Sequence, residues 1–175
     1  PRTGSYKEEG LAQMRGALLA IDELNAQGGV LGRSLRLSSL DDASKPDKAV
    51  RNVDKLIKEG AAMLFGGASS AVAIAAGKRA AQQGLLYFGT LTYSNDTTGK
   101  DGHRYMFREC NNAWMSAQVL GQYLNKQLPD KRYFYVTADY TWGHTTESSL
   151  RQTTSTQDAA KHPGLKVPFL SLIHI

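Results

Sequence analysis

Apolar residues at Leu11, Met14, Leu18, Ile21 and Leu24 recur every three or four positions, with Arg15, Asp22, Glu23 and Asn25 on the opposite side. That spacing predicts an amphipathic helix from Glu8 to Gln27, with Glu8 and Glu9 in the first turn, where the helix dipole favours negative charge. Gly28 and Gly29 stop it, because glycine tolerates the left-handed conformation of a helix C-terminus. Leu35–Leu40 then reads as a strand ending in Asp41-Asp42. Ser44-Lys45-Pro46-Asp47 marks a second helix start, with proline where its missing N–H costs nothing. Ala49, Val50, Val53, Leu56 and Ile57 form that helix's apolar face, and Gly60 ends it.

The rest of the chain repeats the alternation. Ala61–Phe65 is a wholly apolar run bounded by glycines, the pattern of a buried parallel strand. Gly66–Ser70 leads into an alanine-rich helix to Gln83, closed by Gly84. Leu85–Phe88 predicts a third strand, followed by a long polar loop, Gly89 to Gly102, of a length that is usually functional or disordered. Arg104–Arg108 reads as a strand, and Ala113, Ala117, Leu120 and Leu124 as one face of a helix. Tyr133–Thr137 predicts a strand, Ala138–Gly143 a loop, and Thr145–Ala160 a helix poor in large apolar residues. His162-Pro163-Gly164 breaks that helix, and Leu165–Phe169 predicts a last strand. Strands alternating with helices predict an α/β fold, open parallel sheets with helices on both faces. Leu170–Ile175 reads like a translated sequencing adapter and is expected to be a cloning or assembly scar, outside the fold.

Composition narrows the function classes. At 175 residues the chain accommodates one domain or two small ones. No apolar run approaches the roughly 20 residues needed to span a bilayer. The net charge of +5 comes from Lys and Arg scattered through every segment, so a solvated basic surface is favoured over a nucleic-acid patch. Cys110 stands alone, which rules out an internal disulfide or a cysteine-based metal site. The sequence starts at Pro1, not at a methionine, so the chain is expected to begin mid-protein.

Catalytic patterns fail on inspection. Neither Ser69 nor Ser70 sits in a G-x-S-x-G elbow. Gly77-Lys78 and Gly99-Lys100 lack the rest of a P-loop, and no G-x-G-x-x-G follows the first strand. His103, His144, His162 and His174 show no metal-ligand spacing. Asp41-Asp42 would point to opposite faces of a strand end, which suits a turn or surface role. The expectation is a protein that is not an enzyme and needs no cofactor or metal.

In an open α/β sheet, ligands bind at the carboxyl ends of strands. Three loops qualify. Gly66–Ser70 offers small residues, the Ser69 and Ser70 hydroxyls and a helix N-terminus suited to an anion, although taken alone the serines read as ordinary caps. Gly89–Tyr93 brings the Thr90 and Thr92 hydroxyls to the same edge, and Asp139–Gly143 exposes Tyr140 and Trp142, which favours ligand contact.

T-G-S-Y near the start, then A-I-D-E-L-N-A-Q-G-G-V-L-G-R, then a strand into D-D-A-S-K-P, resembles the opening of type I periplasmic solute-binding proteins. The nearest branch is the Leu/Ile/Val-binding proteins of ABC transporters, with their amide- and urea-binding relatives. G-G-A-S-S, the G-T-L-T loop and A-D-Y-T-W-G follow in family order, so the resemblance covers Pro1 to Phe169. It implies a two-lobed clamp with lobe one over residues 1–109 and the truncated start of lobe two over 110–169. The crossing falls near Cys110–Asn112. It further implies that Ser70, with Ser69 and the backbone near Ala68, holds a ligand carboxylate, and that Thr90 and Thr92 contact ligand from the next loop. Tyr6 would line the cleft, and Tyr140 or Trp142 would supply the second lobe's aromatic. Where the amino-acid binders carry an acidic residue for the ligand's ammonium, Cys110-Asn111-Asn112-Ala113-Trp114 has none. That leaves amides, urea and other small carboxylates beside amino acids. The implied function is the substrate-binding component of an ABC importer. Such a component is exported to the periplasm and monomeric, with a small-molecule ligand and a membrane permease as partners. It neither binds nucleic acid nor inserts in the membrane. The alternative is the same fold as the sensing domain of a receptor, sensor kinase or amide-responsive regulator.

Overall fold

The computed structural model describes residues 1–168. Among these residues five helices and five strands follow in the order α1 (Lys7–Ala26), α2 (Pro46–Lys58), β1 (Leu64–Gly66), α3 (Ser70–Gln82), β2 (Tyr87–Gly89), β3 (Met106–Arg108), α4 (Ala113–Gln127), β4 (Tyr135–Ala138), α5 (Thr141–Thr153) and β5 (Gly164–Val167). A single 3-10 turn, Asn95–Thr97, lies in the long loop after β2. The strands form two parallel sheets, β1-β2-β3 and β4-β5, as the alternation predicts.

The first sheet's core shows why the sequence is written as it is. Val72, Ala73, Ala76 and Ala80 of α3 are buried with Ala49 and Val53 of α2, Leu64 of β1, Tyr87 of β2 and Met106 of β3. Alanine and glycine along α3 let the helix lie close on the sheet: a Cβ at Gly77 would stand 2.6 Å from Met106 Sδ. In the second sheet α4 and α5 pack on each other, and Gly121 of α4 sits directly against the Thr153 side chain.

The observed strands are shorter than the apolar runs that predict them, and one mechanism explains two cases. At the end of α2, Gly60 takes a left-handed conformation (φ +84°), and the Ala61 amide turns back to the Leu56 carbonyl. At the end of α3, Gly84 (φ +71°) does the same, and the Leu85 amide bonds to the Ala80 carbonyl. The residue after each glycine is spent on closing the helix, so the strands begin at Leu64 and Tyr87.

The predicted strand Leu35–Leu40 does not form. Residues 34–42 join neither sheet. A strand exists only by pairing, and here the backbone of Leu35 is taken by a side chain instead. Asn25 Nδ2 donates to the Leu35 carbonyl at 2.9 Å, and the Leu35 amide donates to Asn25 Oδ1 at 2.7 Å. The predicted apolar face of α1 is correspondingly open: Gly10 is the helix's one buried residue, and Leu18 and Leu24 are exposed.

The last helix also differs from expectation. It starts at Thr141 rather than Thr145, so Trp142 and Gly143 lie in its first turn and the predicted loop Ala138–Gly143 shrinks. It ends at Thr153 rather than Ala160, because hydroxyls there take the last carbonyls. Thr153 Oγ1 and Thr154 Oγ1 both donate to the Leu150 carbonyl, at 3.0 and 2.7 Å. The predicted end of the last strand, Phe169, and the adapter-like Leu170–Ile175 lie outside the described residues.

Candidate functional site

The loops that leave the carboxyl ends of β1, β2 and β4, together with the first turns of α3 and α5 that they lead into, carry seven of the predicted site residues; Tyr6, just before α1, is the eighth. Gly66 (φ +136°) and Gly67 (φ +82°) turn the chain from β1 toward α3. A Cβ on Gly67 would lie 2.6 Å from Ala73 Cβ and 3.1 Å from the Tyr87 hydroxyl, so only glycine fits. Ala68, Ser69 and Ser70 follow, all buried.

Ser69 occupies the N-cap position of α3, yet its side chain makes no capping bond. Ser70 begins the helix, and its Oγ accepts the Ser94 amide at 3.0 Å. A hydroxyl that accepts from a backbone amide keeps its own proton for donation elsewhere. The Thr90 amide extends the sheet by donating to the Gly66 carbonyl at 3.1 Å. The Thr90 hydroxyl is buried and has no hydrogen-bond partner, a costly state unless something else accepts from it. Thr92 has a different role. It is fully buried, and its Oγ1 lies 2.6 Å from Thr97 Oγ1, so this hydroxyl braces the loop.

The hydroxyls of Tyr6 and Tyr140 meet at 2.6 Å, although 134 positions separate them in the chain. Burial raises the pKa of both phenols; for Tyr140 the Tyr6 hydroxyl adds to the rise, while for Tyr6 the bond to Tyr140 partly offsets it. Both are therefore protonated at neutral pH, and one donates to the other. The Trp142 ring lies 5.9 Å from that of Tyr140, tilted by 42°. The structure thus pairs Tyr6 with Tyr140 and Ser70 with Ser94, and ties Thr92 to Thr97.

The entry to this region is held by the Asp41-Asp42 pair in the turn role expected for it. Asp42 Oδ1 accepts the Ser44 amide at 2.7 Å, and Ser44 Oγ accepts the Tyr6 amide at 3.2 Å. Ala43 (φ +52°) and Ser44 (φ +60°) are consecutive left-handed residues, backbone strain that the two aspartates hold in place. After β3, Arg108 donates to the Cys110 carbonyl at 3.1 Å and to the Ser94 carbonyl at 3.2 Å. The Cys110 thiol pKa is raised, chiefly by burial. Two cavities, of about 280 and 760 Å³, lie around β5, α5 and the end of α4, and none of the eight residues lines either. No group of three or more metal-ligating side chains occurs among the described residues.

Residues 1–165 match the family model described as periplasmic binding protein. The chain belongs to the periplasmic binding protein family. The Leu/Ile/Val-binding protein BraC3 of Rhizobium johnstonii is 33% identical over 132 residues, covering 75% of this chain and 36% of the relative. The solute-binding protein of an ABC transporter from R. palustris, solved with benzoate, is 28% identical with a TM-score of 0.82, covering 98% of this chain and 47% of that one. A branched-chain amino acid transporter substrate-binding protein of Streptococcus pneumoniae, solved with isoleucine, shares the fold at a TM-score of 0.82 and 22% identity, over 98% of this chain and 48% of that one. The chain therefore spans a little over a third of that curated relative and under half of those solved structures. These periplasmic binding protein relatives are binding proteins by name and not enzymes, in agreement with the reading of the sequence.

Sequence reasoning missed Ser94, Asn95 and Asp96 and their partners on α5. The one available signal was the length of the polar loop Gly89–Gly102, which marks the segment but not the residues.

Proposed function

We propose that the protein carrying this chain is the solute-binding component of an ABC importer. It captures a small carboxylate, an amino acid or amide in a cleft between two lobes and passes it to a membrane permease. The first lobe spans 1–109 and the second begins at 110. The chain acts in the bacterial periplasm, and among its described residues no helix is long and apolar enough to cross a membrane.

The observation that carries the reading is the donor set around α3. The Ser70 hydroxyl accepts the Ser94 amide on one of its two lone pairs, which leaves its proton to donate. Beside it in the sequence is the uncapped first turn of α3, and at the end of the neighbouring strand is the unpartnered Thr90 hydroxyl. Hydroxyl donors and a helix N-terminus suit a ligand group that accepts hydrogen bonds and carries negative charge. Isoleucine and benzoate, bound by the two solved relatives, share a carboxylate and little else. Tyr6 would line the cleft from the first lobe, Tyr140 or Trp142 would close it from the second, and Thr92 would support the ligand loop from beneath.

A thermal-shift panel on the full-length protein tests the proposal, with branched-chain and other amino acids, benzoate, short amides and urea. A ligand that binds only the folded state raises the melting temperature. The expected result is a shift with one ligand class that Ser70→Ala abolishes. No shift with any member, or a shift that Ser70→Ala leaves intact, would overturn it.

A further inference from the structure

Ser94 is fully buried and is held from both sides of the boundary between the two sheets. Its amide donates to Ser70 Oγ, and its carbonyl accepts from Arg108, both within the first sheet's unit. Its side chain faces the other way, to α5. Thr145 Oγ1 donates to Ser94 Oγ at 3.3 Å, Ser94 Oγ lies 2.8 Å from Thr141 Oγ1, and Thr141 Oγ1 donates to Asp96 Oδ2 at 2.8 Å. Each hydroxyl has one proton. With Thr141's proton on Asp96, Ser94 is the donor in its 2.8 Å bond to Thr141 Oγ1, with the Thr141 carbonyl a further acceptor at 3.3 Å. The direction therefore runs from Ser94 through Thr141 to the Asp96 carboxylate. Thr145 Oγ1 stands at the head of it, 3.3 Å from both Ser94 Oγ and the Trp142 carbonyl. Hydrogen bonds in such a chain polarise and strengthen one another. Asn95 extends the seam: its Nδ2 donates to Ser149 Oγ at 2.9 Å, and its Oδ1 accepts the Trp114 amide at 2.9 Å.

We propose that Ser94 is a positioning residue that couples the Ser70 hydroxyl to the placement of α5. Its backbone holds the site hydroxyl and its side chain holds the second unit, so the two cannot move independently of this residue. This deepens the solute-binding reading and rests on it for the role of Ser70. When α5 is seated, the Ser94 amide is fixed and the Ser70 proton is aimed. When α5 moves away, the hydroxyl circuit breaks and the Ser94–Ser70 bond loses its support.

The test uses Thr141→Val in the full-length protein, which removes the hydroxyl between Ser94 and Asp96, leaves Ser94 Oγ only the 3.3 Å contact with the main-chain carbonyl of residue 141, and touches neither Ser70 nor the Ser94 backbone. Hydrogen exchange of the Ser94 amide reads the coupling with no ligand present. Exchange is expected to quicken about fivefold, the worth of one net hydrogen bond. Ser94→Ala, which keeps the amide and removes the hydroxyl, should produce the same change at residue 94, and combining it with Thr141→Val should add little. An unchanged Ser94 amide in Thr141→Val, with Ser70→Ala serving as the positive control, would overturn the proposal, as would fully additive effects. Should Thr141→Val melt without cooperativity, Thr145→Val makes the cut one turn along. A second arm measures L-leucine and benzoate affinity in the same variants. Failure of both to bind the parent protein counts against the solute-binding reading, while the exchange arm still decides the coupling.

Discussion

Asp41→Asn keeps the size of a side chain and removes its charge. In the native protein the Asp41 carboxylate accepts from the Arg2 and Thr3 amides at 2.7 and 3.1 Å, the Thr3 hydroxyl at 2.6 Å, the Ala43 amide at 3.0 Å and Lys48 Nζ at 3.2 Å. Burial alone would raise its pKa. The Thr3 hydroxyl, the Arg2 and Ala43 amides and the Lys48 ammonium outweigh burial and hold the carboxyl far below the usual range. A hydrogen bond to a charged group is worth about 1.5–3 kcal/mol, against about 0.5–1.5 kcal/mol for a neutral one, so each of the amide donors loses roughly 1 kcal/mol in the variant. The part-exposed Lys48 pair adds at most about 1 kcal/mol. Since bonds to one acceptor are not additive, the expected loss near neutral pH is about 2–3 kcal/mol. A depressed native pKa gives stability that is present above the unfolded value, near 3.9, and fades as the pH falls through and below it. Urea unfolding of the full-length protein and the variant should therefore show a gap at about pH 7 that narrows toward about pH 3. A gap that stays constant over that range, or is below about 0.5 kcal/mol at pH 7, would refute the reasoning.

Other perturbations reach the remaining parts of the structure. Gly67→Ala places a Cβ against Ala73 and Tyr87 at a left-handed backbone position, and a loss of about 2–4 kcal/mol is expected by urea unfolding. Tyr140→Phe removes one half of the hydroxyl pair with Tyr6. Apparent ligand affinity should fall about fivefold, and adding Tyr6→Phe should cost little more, because both cut one bond. Arg151 donates to Glu147 and to the Thr156 and His162 carbonyls while its guanidinium lies 4.0 Å from the Tyr135 ring centroid. Lysine cannot reproduce that fan of donors, so Arg151→Lys should lower stability by about 2–3 kcal/mol, read as a drop in melting temperature.

Periodicity made the helices legible because their apolar faces and glycine stops are local signals. It overstated the strands, since an apolar residue after a glycine serves the helix end or the strand end equally well on paper. Ala61 and Leu85 show that the helix end wins when its amide can reach back to a carbonyl. Leu35–Leu40 has apolar residues at 35, 37 and 40 and sits between two helices where a strand is expected, but pairing is a property of the neighbour and not of the segment. At the site, the strand-end loops were legible as positions, because the α/β alternation fixes which edge they occupy. What each hydroxyl does was not. Thr90 and Thr92 are two residues apart in one loop, yet one hydroxyl is buried without a partner and the other is spent on Thr97. Ser94 was invisible for the same reason: its partners on α5 are some 50 positions away.

The chemistry of the boundary between the two units bears on how a clamp built on it would behave. Its side-chain contacts include hydroxyl to hydroxyl, amide to hydroxyl and hydroxyl to carboxylate, Tyr6 with Tyr140, Ser94 with Thr141, Asn95 with Ser149 and Thr141 with Asp96, beside the Ala113 and Trp114 amides on the Tyr93 carbonyl and Asn95 Oδ1. Water replaces such bonds at little cost when the surfaces part, so each neutral pair contributes only about 0.5–1.5 kcal/mol net, and the bond to the Asp96 carboxylate about 1.5–3 kcal/mol. A boundary of large apolar side chains would stay shut, and an unpaired charge there would hold it open. Short hydroxyls give a boundary that is specific in register and shallow in energy. In a shallow equilibrium, the few kcal/mol from a bound ligand are enough to move the population from one arrangement to the other. The same reasoning explains why the bracing falls to serine and threonine. Their side chains have few rotamers to lose, so little of the small gain from each bond is spent on ordering them.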